Sequence, residues 1–250
     1  MRAERVLQQA NAADRATGCG KTELVAPLAT ATGRQVYAVN MGATTDPRAT
    51  LIGTMQFREG ATTFAAAHFL QGIQDPNRLI LLDEITRADD DANNILFPLL
   101  DGQRTLALDE AHPPRLIEVH PQVVSFATAN IGQEYTGTRA LDRALHDRFC
   151  VVELDYPPMD AEVALVTTRS HLSGKEARKL VAFAHACRDL WRRDELSTPV
   201  STRMLLEAAE AVRDGFTMLE ALQYTVLPLF DASAGVGAER AKVRQILQRF

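Results

Sequence analysis

Gly18-Cys19-Gly20-Lys21-Thr22 sets a lysine and a hydroxyl directly behind a turn of small residues. Backbone N–H groups of such a turn can wrap a phosphate, Lys21 can reach the outer phosphates of a nucleotide, and Thr22 can offer its hydroxyl to Mg2+. Farther along, Leu79-Ile80-Leu81-Leu82-Asp83-Glu84 is a continuous apolar run ending in two carboxylates. A buried parallel strand that delivers acids to its C-terminal edge reads this way. Asp83 would hold the metal through water, and Glu84 would polarise the attacking water. In this order, about half an α/β domain apart, the two segments point to a nucleoside triphosphatase.

Other polar positions sit where the same chemistry could use them. Val123-Val124-Ser125-Phe126-Ala127-Thr128-Ala129-Asn130 ends a buried strand in an amide. Parallel strands of one sheet end on one edge, so Asn130 could lie beside Asp83 and Glu84; alternatively it simply opens the turn before Gly132. Arg143 and Arg148 fall at a helix end before a strand. There they either reach a nucleotide held by a neighbouring subunit or complement the helix dipole. Arg203 falls in the first turn of a helix, a poor place for a cation, which favours a functional use.

The elements needed to position these groups can be followed along the chain. Lys21 to Ala31 reads as a helix stopped by Gly33, and Gln35 to Met41 as a strand. A turn-rich stretch, Gly42 to Gly60, leads to a short helix near Phe64 to Ile73. Asp89 to Asp91 read as a helix cap ahead of Ala92 to Leu100 rather than a metal site. A hairpin is expected over Gln103 to His120, strands over Val123 to Ala127 and Cys150 to Leu154, and a short helix over Thr138 to Asp147. Beyond Pro157-Pro158 the pattern is helical: Ala161 to Thr168, Lys175 to Arg193, Thr202 to Val212, Met218 to Leu227 and Glu239 to Phe250. The expected division is an α/β nucleotide-binding domain, residues 1–156, and a helical lid, residues 157–250.

One stretch departs from pattern. A full phosphate loop carries glycine five residues before Gly20, and Arg15 stands there. The residues before it, with Val6, Leu7, Ala10 and Ala13 at spacings of three and four, read as helix. The expectation is therefore that the first core strand and the start of the loop are missing.

Composition narrows the partners. A chain of 250 residues with 46% hydrophobic and 24% charged residues can bury a substantial core. A net charge of −5 argues against nucleic acid. Cys19, Cys150 and Cys187 lack metal or disulfide spacing, and the six histidines show no ligand pair. No apolar run suits a leader or a membrane span, so a cytoplasmic location is expected, with no membrane partner.

These segments, with Leu79 to Ala88, Ala127 to Asn130, Tyr135 to Leu141, Asp147-Arg148-Phe149 and Ser201-Thr202-Arg203, resemble the AAA+ ATPases. The likeness is to the MoxR-like branch, with the CbbQ/NorQ-type activators and the small subunit of cobalt chelatase. It implies a P-loop parallel sheet followed by a small all-helical lid, and ATP with Mg2+ as ligands. Thr17, Gly18, Cys19, Gly20, Lys21, Thr22 and Glu23 become the nucleotide-binding loop (Walker A). Thr22 and Asp83 become metal positions, with Asp83 and Glu84 forming Walker B. Asn130 becomes sensor 1, Arg148 or Arg143 the arginine finger, and Arg203 sensor 2. The resemblance also implies a hexameric ring and a client protein, often one bearing a von Willebrand factor A domain, remodelled for metal insertion or enzyme maturation. The other reading open at this point is a scaffold or adaptor of the same descent that no longer hydrolyses ATP, motivated by Arg15.

Overall fold

The computed structural model describes residues 5–10, 18–58, 60–130, 143–230 and 238–250. They divide into two compact units, one drawn from Met1–Arg15 and Lys21–Leu154, the other from Ala16–Gly20 and Asp155–Phe250.

In the first unit, β1 (Arg5–Ala10) is followed by α1 (Val25–Thr32), which ends on Gly33 in the left-handed conformation, φ 64°. Next come β2 (Gln35–Asn40), α2 (Pro47–Leu51), β3 (Gly53–Arg58), β4 (Ala61–Ala66), α3 (His68–Gly72) and β5 (Arg78–Asp83). The unit continues with α4 (Asp90–Leu100), β6 (Thr105–Leu108), β7 (Arg115–Glu118), β8 (Val124–Ala129), α5 (Arg143–His146) and β9 (Cys150–Leu154). Five strands form one parallel sheet in the order β2-β5-β8-β1-β9. β5 is buried on both faces. Ile80 and Leu82 join the larger core with Leu51, Phe69 and Leu96, while Leu79 and Leu81 pack with Val25, Ala29 and Phe126. Each such side chain contributes about 1.5–3 kcal/mol by leaving water, which fixes the strand that carries the acids.

Two expectations are corrected here. The first core strand is not missing: Arg5–Ala10 forms β1 mid-sheet, paired Val6 with Phe126 on one side and with Cys150 on the other. Ladders on both edges override a local spacing that also fits a helix. The stretch 53–66 is a hairpin, Gly53 opposite Ala66 and Met55 opposite Phe64, so the expected helix starts only at His68. Gly53, φ 137°, is required there, since a Cβ would meet the Ala65 carbonyl oxygen at 2.2 Å. The Gln103 to His120 hairpin is observed as β6 with β7. Asp89 caps α4 by accepting from the Ala92 N–H at 2.8 Å. Thr17, Tyr135 to Leu141 and Arg15 lie outside the described residues.

The second unit is helical: α6 (Met159–Ser170), α7 (Gly174–Arg192), α8 (Thr202–Arg213), α9 (Met218–Thr225) and α10 (Glu239–Leu247). Ser173 with Glu176, and Thr217 with Glu220, close capping boxes on α7 and α9. Leu180, Val181, Phe183, Leu205 and Leu222 are buried in this unit, and so is an ion pair. Glu162 of α6 accepts two guanidinium bonds from Arg188 of α7, at 2.7 and 2.8 Å. Thr202 Oγ1 donates to Glu162 Oε1 at 2.6 Å, and His185 Nε2 lies 3.0 Å from Glu162 Oε2. Arg188 Nε donates to the Val200 carbonyl at 2.7 Å, and the guanidinium lies 3.8 Å over the Tyr156 ring.

Burial pushes the Glu162 carboxyl up, but Arg188, Thr202 and His185 outweigh it and hold the group below its ordinary 4.5. A depressed folded value means stability present above that ordinary value and lost as pH falls through the folded one. The gap in thermal midpoint between the unaltered chain and Glu162→Gln should therefore be wide near neutral pH. Melting curves at descending pH should show it closing once the pH has fallen below that ordinary value. Cys187 is fully buried and its thiol is pushed up to about 12 by that burial. Iodoacetamide at neutral pH should label the exposed Cys150 and leave Cys187 unmodified, read by mass spectrometry.

Candidate functional site

The first unit gathers its chemistry on the C-terminal edge of the sheet. Asp83 is the last residue of β5, and β8 brings Thr128 beside it through the pairing of Leu82 with Ala127. Thr22, in a 3₁₀ turn ahead of α1, donates its hydroxyl to Asp83 Oδ1 at 2.9 Å. Thr128 donates to the same oxygen at 2.5 Å and accepts the Glu84 N–H at 2.9 Å. Lys21 precedes this turn and is buried. The residue pair on which a nucleotide-bound metal would depend, Thr22 and Asp83, is thus in direct contact. Among the described residues no cluster of three His, Cys, Asp or Glu could hold a metal by itself. A hydroxyl and a carboxylate oxygen suit Mg2+, which favours oxygen ligands, keeps several waters and completes its shell with substrate phosphates.

Glu84 follows in a left-handed backbone conformation, φ 56°. For a residue with a Cβ this costs on the order of 1–3 kcal/mol and persists only where surroundings impose it. They do so here: the Thr128 hydroxyl takes the Glu84 N–H, and the Glu84 carbonyl accepts from the Arg87 N–H at 2.8 Å. The Glu84 side chain lies beside Arg87 and the Gly42 turn. Its Oε2 lies 3.3 Å from Arg87 Nη1, and a Cβ at Gly42 would stand 2.7 Å from the same oxygen. Gly42 therefore leaves room for the carboxylate. Asn40, opposite Asp83 at the end of β2, holds that glycine turn by accepting from the Gly42 and Ala43 N–H groups.

Asn130 follows β8, half-buried, and its Oδ1 is buried without a hydrogen-bond partner among the described residues. Such an atom costs stability unless something bonds it. Arg148 donates from Nη1 to the Ala144 carbonyl at 2.6 Å and lies 4.9 Å over Phe97, with its Nε buried and unbonded. Arg143 starts α5 and is exposed. Glu23 is exposed in the 3₁₀ turn.

In the second unit, Gly18 (φ 63°) and Gly20 (φ 96°) both need the left-handed region open to glycine. They form the turn around Cys19, whose thiol is free of disulfide. A Cβ at Gly18 would come within 2.9 Å of Ser201 Cβ and 3.8 Å of Arg203 Cβ. Arg203 itself is exposed in the first turn of α8.

Sequence reasoning missed Thr128, Arg87 and Gly42. The signal for Thr128 was present: it lies two residues before Asn130, one position beyond the Ala127 that pairs with Leu82. Residue type alone marks it as a strand threonine.

A parallel sheet of this order, with a glycine turn and lysine before a helix and a strand-end aspartate touching the threonine, defines a P-loop nucleotide-binding protein of the AAA+ type. Residues 16–149 match the AAA domain (dynein-related subfamily), and residues 162–238 match the CbbQ/NirQ/NorQ C-terminal domain. The chain belongs to the MoxR-like AAA+ ATPases. BssE of Thauera aromatica, which carries a chaperone designation, is 33% identical over 206 residues, covering 82% of this chain and 70% of that protein. NorQ of Paracoccus denitrificans (strain Pd 1222) is 31% identical over 216 residues, 86% of this chain and 78% of NorQ. A solved point mutant of RuvB from Thermotoga maritima superposes with a TM-score of 0.58 at 15% identity. That likeness covers 88% of this chain and 62% of RuvB, and shows the fold alone. Among the described residues no helix is long and apolar enough to cross a membrane.

Thr128→Val should leave Asp83 Oδ1 short of a donor and the Glu84 N–H without an acceptor. Urea unfolding should then show the protein destabilised by about 1–3 kcal/mol, and Thr128→Ser should recover most of it.

Proposed function

We propose that this chain binds ATP with Mg2+, hydrolyses it, and uses the turnover in a hexameric ring to remodel or activate a client protein. The observation that carries the reading is the 2.9 Å contact between Thr22 Oγ1 and Asp83 Oδ1. It brings the group expected to bind Mg2+ directly and the group expected to hold it through water to one point. Mg2+, when bound, would neutralise charge on the phosphates. Lys21 would bind the outer phosphates, and the backbone of the turn from Thr17 to Glu23 would cradle them. Glu84 would orient the attacking water, held at its angle by Thr128 and Gly42. Asn130 Oδ1, lacking a partner, is available to accept from that water.

Arg148 is the choice for the finger offered to a neighbouring copy, with Arg143 second and Arg203 assigned to the phosphates in its own subunit. Among the described residues, Arg148 is held by a bond to the Ala144 carbonyl of the preceding helix and a ring contact worth about 0.5–1 kcal/mol, little to give up when a phosphate is offered. The client is proposed by relationship: BssE carries a chaperone name. A partner with a von Willebrand factor A domain, matured or loaded with metal, is the proposed kind. Arg15 favours a second reading, a scaffold that does not turn over nucleotide.

Calorimetric titration should give micromolar ATP binding in the presence of Mg2+; no binding heat would select the scaffold. Glu84→Gln should keep that binding and lose at least about a hundredfold in turnover, because an amide cannot serve as base. Arg148→Ala should bind ATP and fail to hydrolyse it. Undiminished phosphate release by that variant places the finger elsewhere.

A further inference from the structure

The buried charge pair of the second unit has a shape that stabilisation alone does not explain. A salt bridge removed from water is weak as a stabiliser, because desolvation offsets most of the attraction, and apolar residues of the same volume would hold these helices as well. A directional clasp is what charges and hydroxyls add. Glu162 and Arg188 together grip the start of α8 on both sides of its N-cap. Arg188 Nε takes the Val200 carbonyl at 2.7 Å, and Glu162 Oε1 takes the Thr202 hydroxyl at 2.6 Å. Ser201, between them, is buried and caps the helix by accepting from the Met204 N–H at 3.2 Å. Farther along, α8 is held by Leu205, Ala208 and Ala209, all apolar.

Two features sit on that gripped turn. Arg203 is the next residue after Thr202, exposed at a helix N-terminus where the dipole disfavours a cation. The Gly18 turn lies so close to Ser201 that a side chain at position 18 would collide with it. We infer that Glu162, Arg188 and Thr202 are positioning residues: they fix the first turn of α8, and through it Arg203 and the seat of the Gly18 turn, for ATP turnover. The inference rests on the function proposed above. Glu162 and Arg188 act through Thr202 and Val200, and none of the three touches nucleotide.

The test is Thr202→Val, which removes the hydroxyl and keeps the branched shape and the ion pair, with Thr202→Ser as the conservative partner. At 25 °C, with both variants showing a cooperative unfolding transition above that temperature, Thr202→Val should lower kcat for ATP at least about tenfold and leave KM within about threefold. Thr202→Ser should restore kcat. Amide deuterium exchange should be faster in Thr202→Val at Met204 and Leu205, whose N–H groups bond to Ser201, and unchanged in the middle of α7. Undiminished kcat in folded Thr202→Val overturns the inference, whatever the exchange shows, as does failure of Thr202→Ser to rescue. If the unaltered protein hydrolyses no ATP, the proposed function falls instead. Exchange at Met204 and Leu205 then decides whether Thr202 fixes the turn, and unchanged exchange overturns that.

Discussion

One carboxylate oxygen organises the C-terminal edge of the sheet. Asp83 Oδ1 accepts from Thr22, at the foot of α1, and from Thr128, in the neighbouring strand β8. Hydrogen bonds to a charged acceptor are roughly twice as strong as neutral ones, so a single acid can hold two segments from distant parts of the sequence. Thr128 then passes the constraint on by accepting the Glu84 N–H, which keeps Glu84 in a left-handed backbone conformation. A strained residue beside the acid is therefore not a local accident. It is the outcome of a hydroxyl placed by strand register.

The second unit solves its own positioning problem with the same kind of interaction in a different setting. At the sheet edge the carboxylate of Asp83 is partly exposed and its partners are neutral hydroxyls. In the helical unit Glu162 is fully buried and needs a guanidinium as well as a hydroxyl and an imidazole to remain charged. An isolated buried charge would cost many kcal/mol, so every acceptor site on Glu162 is occupied. In both units a threonine is the ligand that couples an acid to a helix start, at Thr22 and at Thr202.

Much of this was legible in the residues. The strand carrying Asp83, the parallel strand ending near Asn130, the capping role of Asp89 and the five described helices of the second unit follow from local apolar period and end signals. β1 was not legible. Val6 and Leu7 are followed by Gln8 and Gln9, so the continuous apolar run expected of a central parallel strand is absent. What makes Arg5–Ala10 a strand is the ladder with β8 and β9, more than a hundred residues away, and no local window contains it. The β3–β4 hairpin was hidden for another reason. Its turn at Gly60 lacks an Asn-Gly or Asp-Gly signature, although Thr54-Met55-Gln56-Phe57 alternates polar and apolar residues as a half-buried strand does. The site was legible as residue types, and not as the second layer of Thr128, Arg87 and Gly42 that sets its angles.

The place of β1 in the sheet also bears on how the chain is made. It precedes every other strand of the sheet in the chain, yet both its neighbours, β8 and β9, are translated last of the sheet strands. Until residue 154 has been synthesised, the growing chain can pair β2, β5, β8 and β1, and the far side of β1 has no strand to pair with. Closing that long loop is entropically slow, so the sheet cannot complete in step with translation. Nascent chains should depend on whatever shields an open strand edge during that interval.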